Sequence, residues 1–187
     1  GRERIWMGSP SRRLVLDGLL VALGLAVHQA EAALPHLLPG VKPGLANVFG
    51  LVAFVALGWR DAAAVTLLRV FLGGLFSGLG LAFLCSLGGS LAALAALILL
   101  GRFVPDRLSL EGLSVAQAGA FNLAQLLVVA LLLGSWGVAL PSAPLLATSA
   151  LVTGLGTGLL ARMLLRHPFL ATSPLPGGSC ETERRQP

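Results

Sequence analysis

Charge is scarce in this sequence. Asp, Glu, Lys and Arg make up 11% of its 187 residues, where a soluble domain carries about 25%. Apolar residues reach 56%, and 24 glycines come on top of that. Thirteen basic and eight acidic side chains cannot clothe so much apolar surface in water, which excludes a soluble globular fold. Disorder is excluded as well, because disordered chains are poor in apolar residues. Cysteine is nearly missing. Cys85 sits in an apolar stretch and Cys180 in the polar C-terminal segment, so neither a disulfide nor a metal site is expected.

Catalytic signatures are missing too. There is no Walker-type phosphate loop and no pair of Asp-rich motifs to hold magnesium and a diphosphate. No Ser-His-Asp set, Cys-His pair or HExxH is visible, and the three histidines are scattered. Catalysis by this chain alone is not expected, nor is a cofactor. The net charge of +5 would point to nucleic acid in a soluble protein. Here the basic residues stand singly between hydrophobic runs, with no aromatic interleaving. The lipid bilayer is the expected partner, and nucleic acid is not.

What the sequence does have is long apolar runs, as transmembrane helices require. They cover Leu14–Leu34, Leu45–Leu57, Ala62–Leu100, Val115–Leu133 and Leu145–Leu165. The third is far too long for one crossing at about 1.5 Å per residue and is divided near Gly80–Ser86. The second is short for a crossing and is expected to tilt or to start below the membrane surface. Residues 1–13 form a polar N-terminal segment and 14–165 a six-helix transmembrane domain. Residues 166–187 form a polar tail expected to be disordered. Gly58-Trp59-Arg60-Asp61 reads as a tight polar break, and Arg102–Ser114 as a charged loop.

The positive-inside rule tests this division. With the N-terminus in the cytoplasm, inside segments hold Arg2, Arg4, Arg12, Arg13, Arg60, Arg102, Arg107, Arg162, Arg166, Arg184 and Arg185. Outside segments hold only Lys42, and Arg69 falls within a helix. The expected fold is therefore an all-α integral membrane protein, a bundle of six transmembrane helices with both termini cytoplasmic. Trp6, Trp59 and Trp136 fall near the expected interfaces. Arg12-Arg13, the first apolar run and Ala30-Glu31-Ala32 share the outline of a cleavable signal peptide. Retaining that helix gives the better charge asymmetry. The first residue is Gly1, not Met, and the natural chain is expected to begin further upstream.

An ionisable group at mid-membrane costs at least about 2.5–3.5 kcal/mol, so it must face protein or water. Arg69 is such a group, about 12 Å deep in the third helix. It reads either as a ligand-binding or gating cation or as part of a structural ion pair. Asn122 and Gln125, spaced i, i+3, share one helix face. They would bind a polar group or bond between helices, and Asn47 has the same two readings. Gly24, His28 and Glu31 share a face of the first helix, where Lys42 could pair with Glu31. Across from them Gly18, Ala22, Ala26 and Ala30 form a small-residue stripe that would let another helix approach closely. Gly74-x-x-x-Gly78 and Gly154-x-x-x-Gly158 repeat that spacing.

Pro39-Gly40-Val41-Lys42-Pro43-Gly44-Leu45-Ala46-Asn47 makes the sequence resemble a known family. Leu68-Arg69-Val70, Gly112-Leu113-Ser114-Val115-Ala116 and Asn122-Leu123-Ala124-Gln125-Leu126 fall in the same order. The family is the Gx transporter family, also labelled heptaprenyl diphosphate synthase component I, and the resemblance spans roughly residues 14–165. Pro43 departs from its pattern, and so does Phe121, where a His is expected before the Asn. The family is similar to the substrate-binding S components of energy-coupling factor vitamin transporters. That resemblance implies six helices, a binding site near the outer side, and docking on a transmembrane coupling subunit driven by ATPase subunits. It also implies docking through Gly18, Ala22 and Ala26.

The sequence thus reads as an S-component-like subunit of a small-molecule uptake transporter in a bacterial or archaeal cytoplasmic membrane. Asn47, Arg69, Asn122 and Gln125 would line its site, with Glu31 and Lys42 at the outer mouth. An isoprenoid- or quinone-related compound is the suggested substrate. The alternative is a structural, quinone-associated subunit of a membrane redox or prenyl-synthesis complex.

Overall fold

The computed structural model describes residues 10–33, 44–101, 109–134, 137 and 140–166. Among them are six α-helices and one short 3-10 turn at Leu140–Ser142. The helices are α1 (Pro10–Ala33), α2 (Asn47–Ala56), α3 (Trp59–Ser77), α4 (Leu81–Leu100), α5 (Leu110–Leu133) and α6 (Ala143–Arg166). Lys42, Trp6, Trp136, Cys180 and the C-terminal tail lie outside the described residues.

Glycine makes the two sharpest breaks. Gly58 (φ 114°) separates α2 from α3, and Gly78 (φ 92°) separates α3 from α4. An L side chain rarely adopts either conformation. The long apolar run is thus divided at Gly78–Gly80, at the near edge of the expected split. Trp59, Arg60 and Asp61, expected in a loop, instead open α3, where Asp61 favours the helix N-terminus. The charged loop before α5 is shorter than expected. Ser109 accepts a hydrogen bond from the Gly112 N–H at 3.1 Å, and this cap starts the helix at Leu110.

α1 and α3 run parallel at a constant offset of 48 residues. Arg13 bonds Asp61 at one end, and the Ser77 hydroxyl bonds Gln29 at the other. α5 and α6 are antiparallel. Gly154 of α6 lies so close to α5 that an added Cβ would stand 2.6 Å from the Val115 Cα. Gly158 makes a similar approach to Glu111, so the second glycine pair is internal packing. Gly74 packs on Phe83, whereas Gly78 is the helix break itself.

α2 is short, as its apolar run implies, and lies at the centre of the bundle. It contacts all five other helices, and eight of its ten residues are buried. A helix that is apolar all round and about 15 Å long fills a core rather than facing lipid. Val48, Phe49, Leu51, Val52, Ala53 and Ala56 of α2 join Leu16 and Leu20 of α1, Val65 of α3, Leu97 of α4, Leu113 of α5 and Leu165 of α6 in one apolar cluster.

Among the described residues the usual distribution of a soluble protein is largely inverted. Leu75, Phe76, Leu123, Leu131, Val152 and Met163 stand exposed, while Glu31, Asn47, Arg69, Ser90, Asn122 and Gln125 are buried. α1, α4, α5 and α6 are long and apolar enough to cross a membrane. Apolar outside, polar inside and four such helices make this a multi-pass membrane protein.

Candidate functional site

Thr66, Ser114 and Thr157 lie beside the apolar cluster, whereas Glu31, Asn47, Arg69, Ser90 and Gln117 form a separate polar centre. At its middle is Arg69, only 3% exposed. Its Nη2 donates to the Asn47 Oδ1 at 2.9 Å and to the Ser90 Oγ at 3.2 Å. Three helices therefore meet at one guanidinium. α1 adds the Glu31 carboxylate, which attracts the Arg69 charge and accepts a hydrogen bond from the Leu45 N–H just before α2. α5 adds Gln117, whose Nε2 donates to the Asn47 carbonyl at 3.4 Å. A buried charge persists only with such partners.

Small residues let the long side chains in. An added Cβ on Gly24 would stand 2.9 Å from the Arg69 Cδ, and one on Gly73 would stand 2.7 Å from the His28 ring. Arg69 thus lies along α1, and His28 along α3. The Phe121 ring lies between Gly44 and Gly89, and Gln125 packs beside Gly89. At Phe121, where a His is expected before the Asn, the side chain supplies an apolar wall.

Of the residues expected to line a site, Asn47, Arg69 and Glu31 converge, and Gln125 is fully buried beside α4. Asn122 turns elsewhere. Its Nδ2 donates to the Leu146 carbonyl and to the Ser149 Oγ of α6, each at 3.0 Å. Ser90 and Gln117 are members that the sequence reading passed over. Ser86 and Ser90 at i, i+4 on α4, and Gln117, Phe121 and Gln125 on one face of α5, were the available signals. The outward stripe of α1 is where expected: Gly18, Ala22, Ala26 and Ala30 are all exposed.

The centre presents N–H donors, some of them unspent. A guanidinium offers planar N–H donors, and the buried Asn47 Nδ2 has no hydrogen-bond partner in the structure. Among the described residues, no three His, Cys, Asp or Glu gather to hold a metal.

Curated proteins and solved structures give no match to this chain. A family model described as heptaprenyl diphosphate synthase component I matches residues 20–164. That span contains the whole polar centre, and the chain belongs to the heptaprenyl diphosphate synthase component I family, the Gx transporter family.

Proposed function

We propose that this chain is the substrate-binding membrane subunit of an energy-coupled uptake transporter. The observation that carries the reading is the buried Arg69 centre, with an unspent Asn47 donor beside it. An anionic or carbonyl-bearing small molecule fits that chemistry. Arg69 and Asn47 would hold its oxygens, Glu31 would balance the cation when the site is empty, and Gln125 would form the wall. Lys42, in the connector before α2, is assigned to the outer mouth. An isoprenoid- or quinone-related compound remains the suggested class.

Orientation follows from charge. Arg13, Arg60, Arg162 and Arg166 gather at the end of the bundle that holds the apolar cluster, and this end is assigned to the cytoplasm. The polar centre then lies in the outer half, on the side from which a substrate would be captured. Six crossings with both termini inside fit this assignment. α2 is the weakest of the six, since it covers about half of the hydrocarbon thickness. Gly18, Ala22 and Ala26 would dock on a transmembrane coupling subunit carried by ATPase subunits. No catalytic step is assigned to the chain itself, and a bacterial or archaeal cytoplasmic membrane is its proposed location.

The test is ligand retention. Full-length protein and its Arg69→Gln variant are purified from membranes, and bound small molecules are identified by mass spectrometry. A compound with a carboxylate, phosphate or carbonyl, kept by the wild type and lost from the variant, supports the site. Equal retention by both overturns it.

A further inference from the structure

Asn122 sits at the middle of α5, 3% exposed, and one of its two polar atoms is unused. The amide orientation is fixed by its neighbours. The Leu146 carbonyl can only accept. The Ser149 hydroxyl already donates to that same carbonyl at 2.9 Å, so it too accepts from Asn122. Both neighbours require the Nδ2 on their side. The Oδ1 is left buried without a hydrogen-bond partner, a state that costs about 1–3 kcal/mol.

Asn122 also lines a crevice of about 270 Å³ between α5 and α6. Gly119 and Leu123 of α5 and Leu146, Ala147 and Ala150 of α6 form its apolar walls. Leu123 is 69% exposed and Ala147 is also exposed, so the crevice opens sideways, toward lipid. At Gly119 an added Cβ would meet nothing within 4 Å, which marks open space.

We infer that this crevice is a second binding site, entered from the bilayer, for an apolar molecule carrying one hydrogen-bond donor, a hydroxyl above all. A phospholipid tail fills the walls but has no donor for the Oδ1. A lone water has the donor but finds few of the two to four polar partners that hold a buried water. A hydroxyl on an apolar chain satisfies both halves of the site. The site is independent of the Arg69 centre, because Asn122 faces α6 while Arg69 bonds α2 and α4.

Photolabelling tests it. The full chain is placed in phosphatidylcholine nanodiscs with a diazirine-bearing decanol or with the matching diazirine-bearing decane, and labelled peptides are mapped. The alcohol is expected to label the Leu123 and Leu146–Ala150 segments about three- to tenfold more than the hydrocarbon, as one hydrogen bond predicts. Gly119→Leu, which fills open space, is expected to abolish that labelling. Asn122→Leu is expected to equalise the two probes. The proposal fails if alcohol and hydrocarbon label the wild-type crevice equally, or if Gly119→Leu leaves alcohol labelling unchanged.

Discussion

The Arg69 guanidinium bonds the Asn47 side chain at 2.9 Å, tying the interior of α3 to the first turn of α2. The bond satisfies a buried cation and also places the unspent Asn47 amide donor next to it. Removing the cation breaks more than one contact. Asn47 Oδ1 and Ser90 lose a donor, and Glu31 is left as a buried anion.

Arg69→Ala is therefore expected to destabilise the protein by about 3–5 kcal/mol, the cost of leaving a buried charge uncompensated. Adding Glu31→Gln should recover part of the loss, with a coupling of about 0.5–3 kcal/mol. Thermal unfolding of the two single variants and the double variant in detergent measures this. Additive losses would mean that the two charges do not communicate.

Gly24 and Gly18 occupy opposite faces of α1 and should respond differently. A methyl at Gly24 presses on the Arg69 Cδ, so Gly24→Ala is expected to cost about 1–3 kcal/mol. Gly18 has nothing within 4 Å of an added Cβ. Gly18→Leu should therefore leave the melting temperature unchanged while blocking close approach of a partner helix. Co-purification with coupling and ATPase subunits, and uptake in cells, should fall in that variant with ligand retention intact. Stable recovery of redox subunits instead would favour the quinone-associated alternative.

The α5–α6 contact yields a matched pair. Gly154→Ala puts a methyl 2.6 Å from the Val115 backbone, which cannot yield as a side-chain tip can. A loss of about 1–3 kcal/mol is expected. Gly156→Ala, with open space around it, should be neutral or stabilising by up to about 1 kcal/mol, because alanine is the better helix former. Denaturation of the two variants side by side checks the difference.

Orientation can be read by labelling. In a background with Cys85 and Cys180 replaced by serine, Arg60→Cys and Arg166→Cys should react with a membrane-impermeant maleimide only after the membrane is opened. Leu79→Cys, exposed between α3 and α4, should react in intact cells. The reverse pattern would invert the bundle.

Much of this arrangement could be read in the residues. The breaks at Gly58 and Gly78–Gly80 and the two faces of α1 follow from glycine placement and 3.6-residue spacing. The burial of Arg69 and Asn47 follows from the cost of charge and amide in lipid, whereas Glu31, expected at the outer mouth, is buried as well. What stayed hidden depended on which helix lies next to which. α2 is apolar on every side, so its pattern has no face to assign, and its place at the centre emerges only from packing. Asn122 and Gln125 share one helix face, yet Gln125 meets α4 and Asn122 meets α6. Gln117 and Ser90 acquire a role only when α2 is set between α4 and α5.

The glycine at position 24 gives α1 an unusual mechanical position. This single helix turns Gly18, Ala22, Ala26 and Ala30 outward between Val15, Leu19 and Leu23, and on its reverse side the stem of Arg69 rests directly against its backbone. A neighbour that leans on the helix would displace the cation within one helix diameter, about 10 Å, without any intervening lever. Under the proposed transport role, release of a held molecule and attachment of a partner would then be one movement.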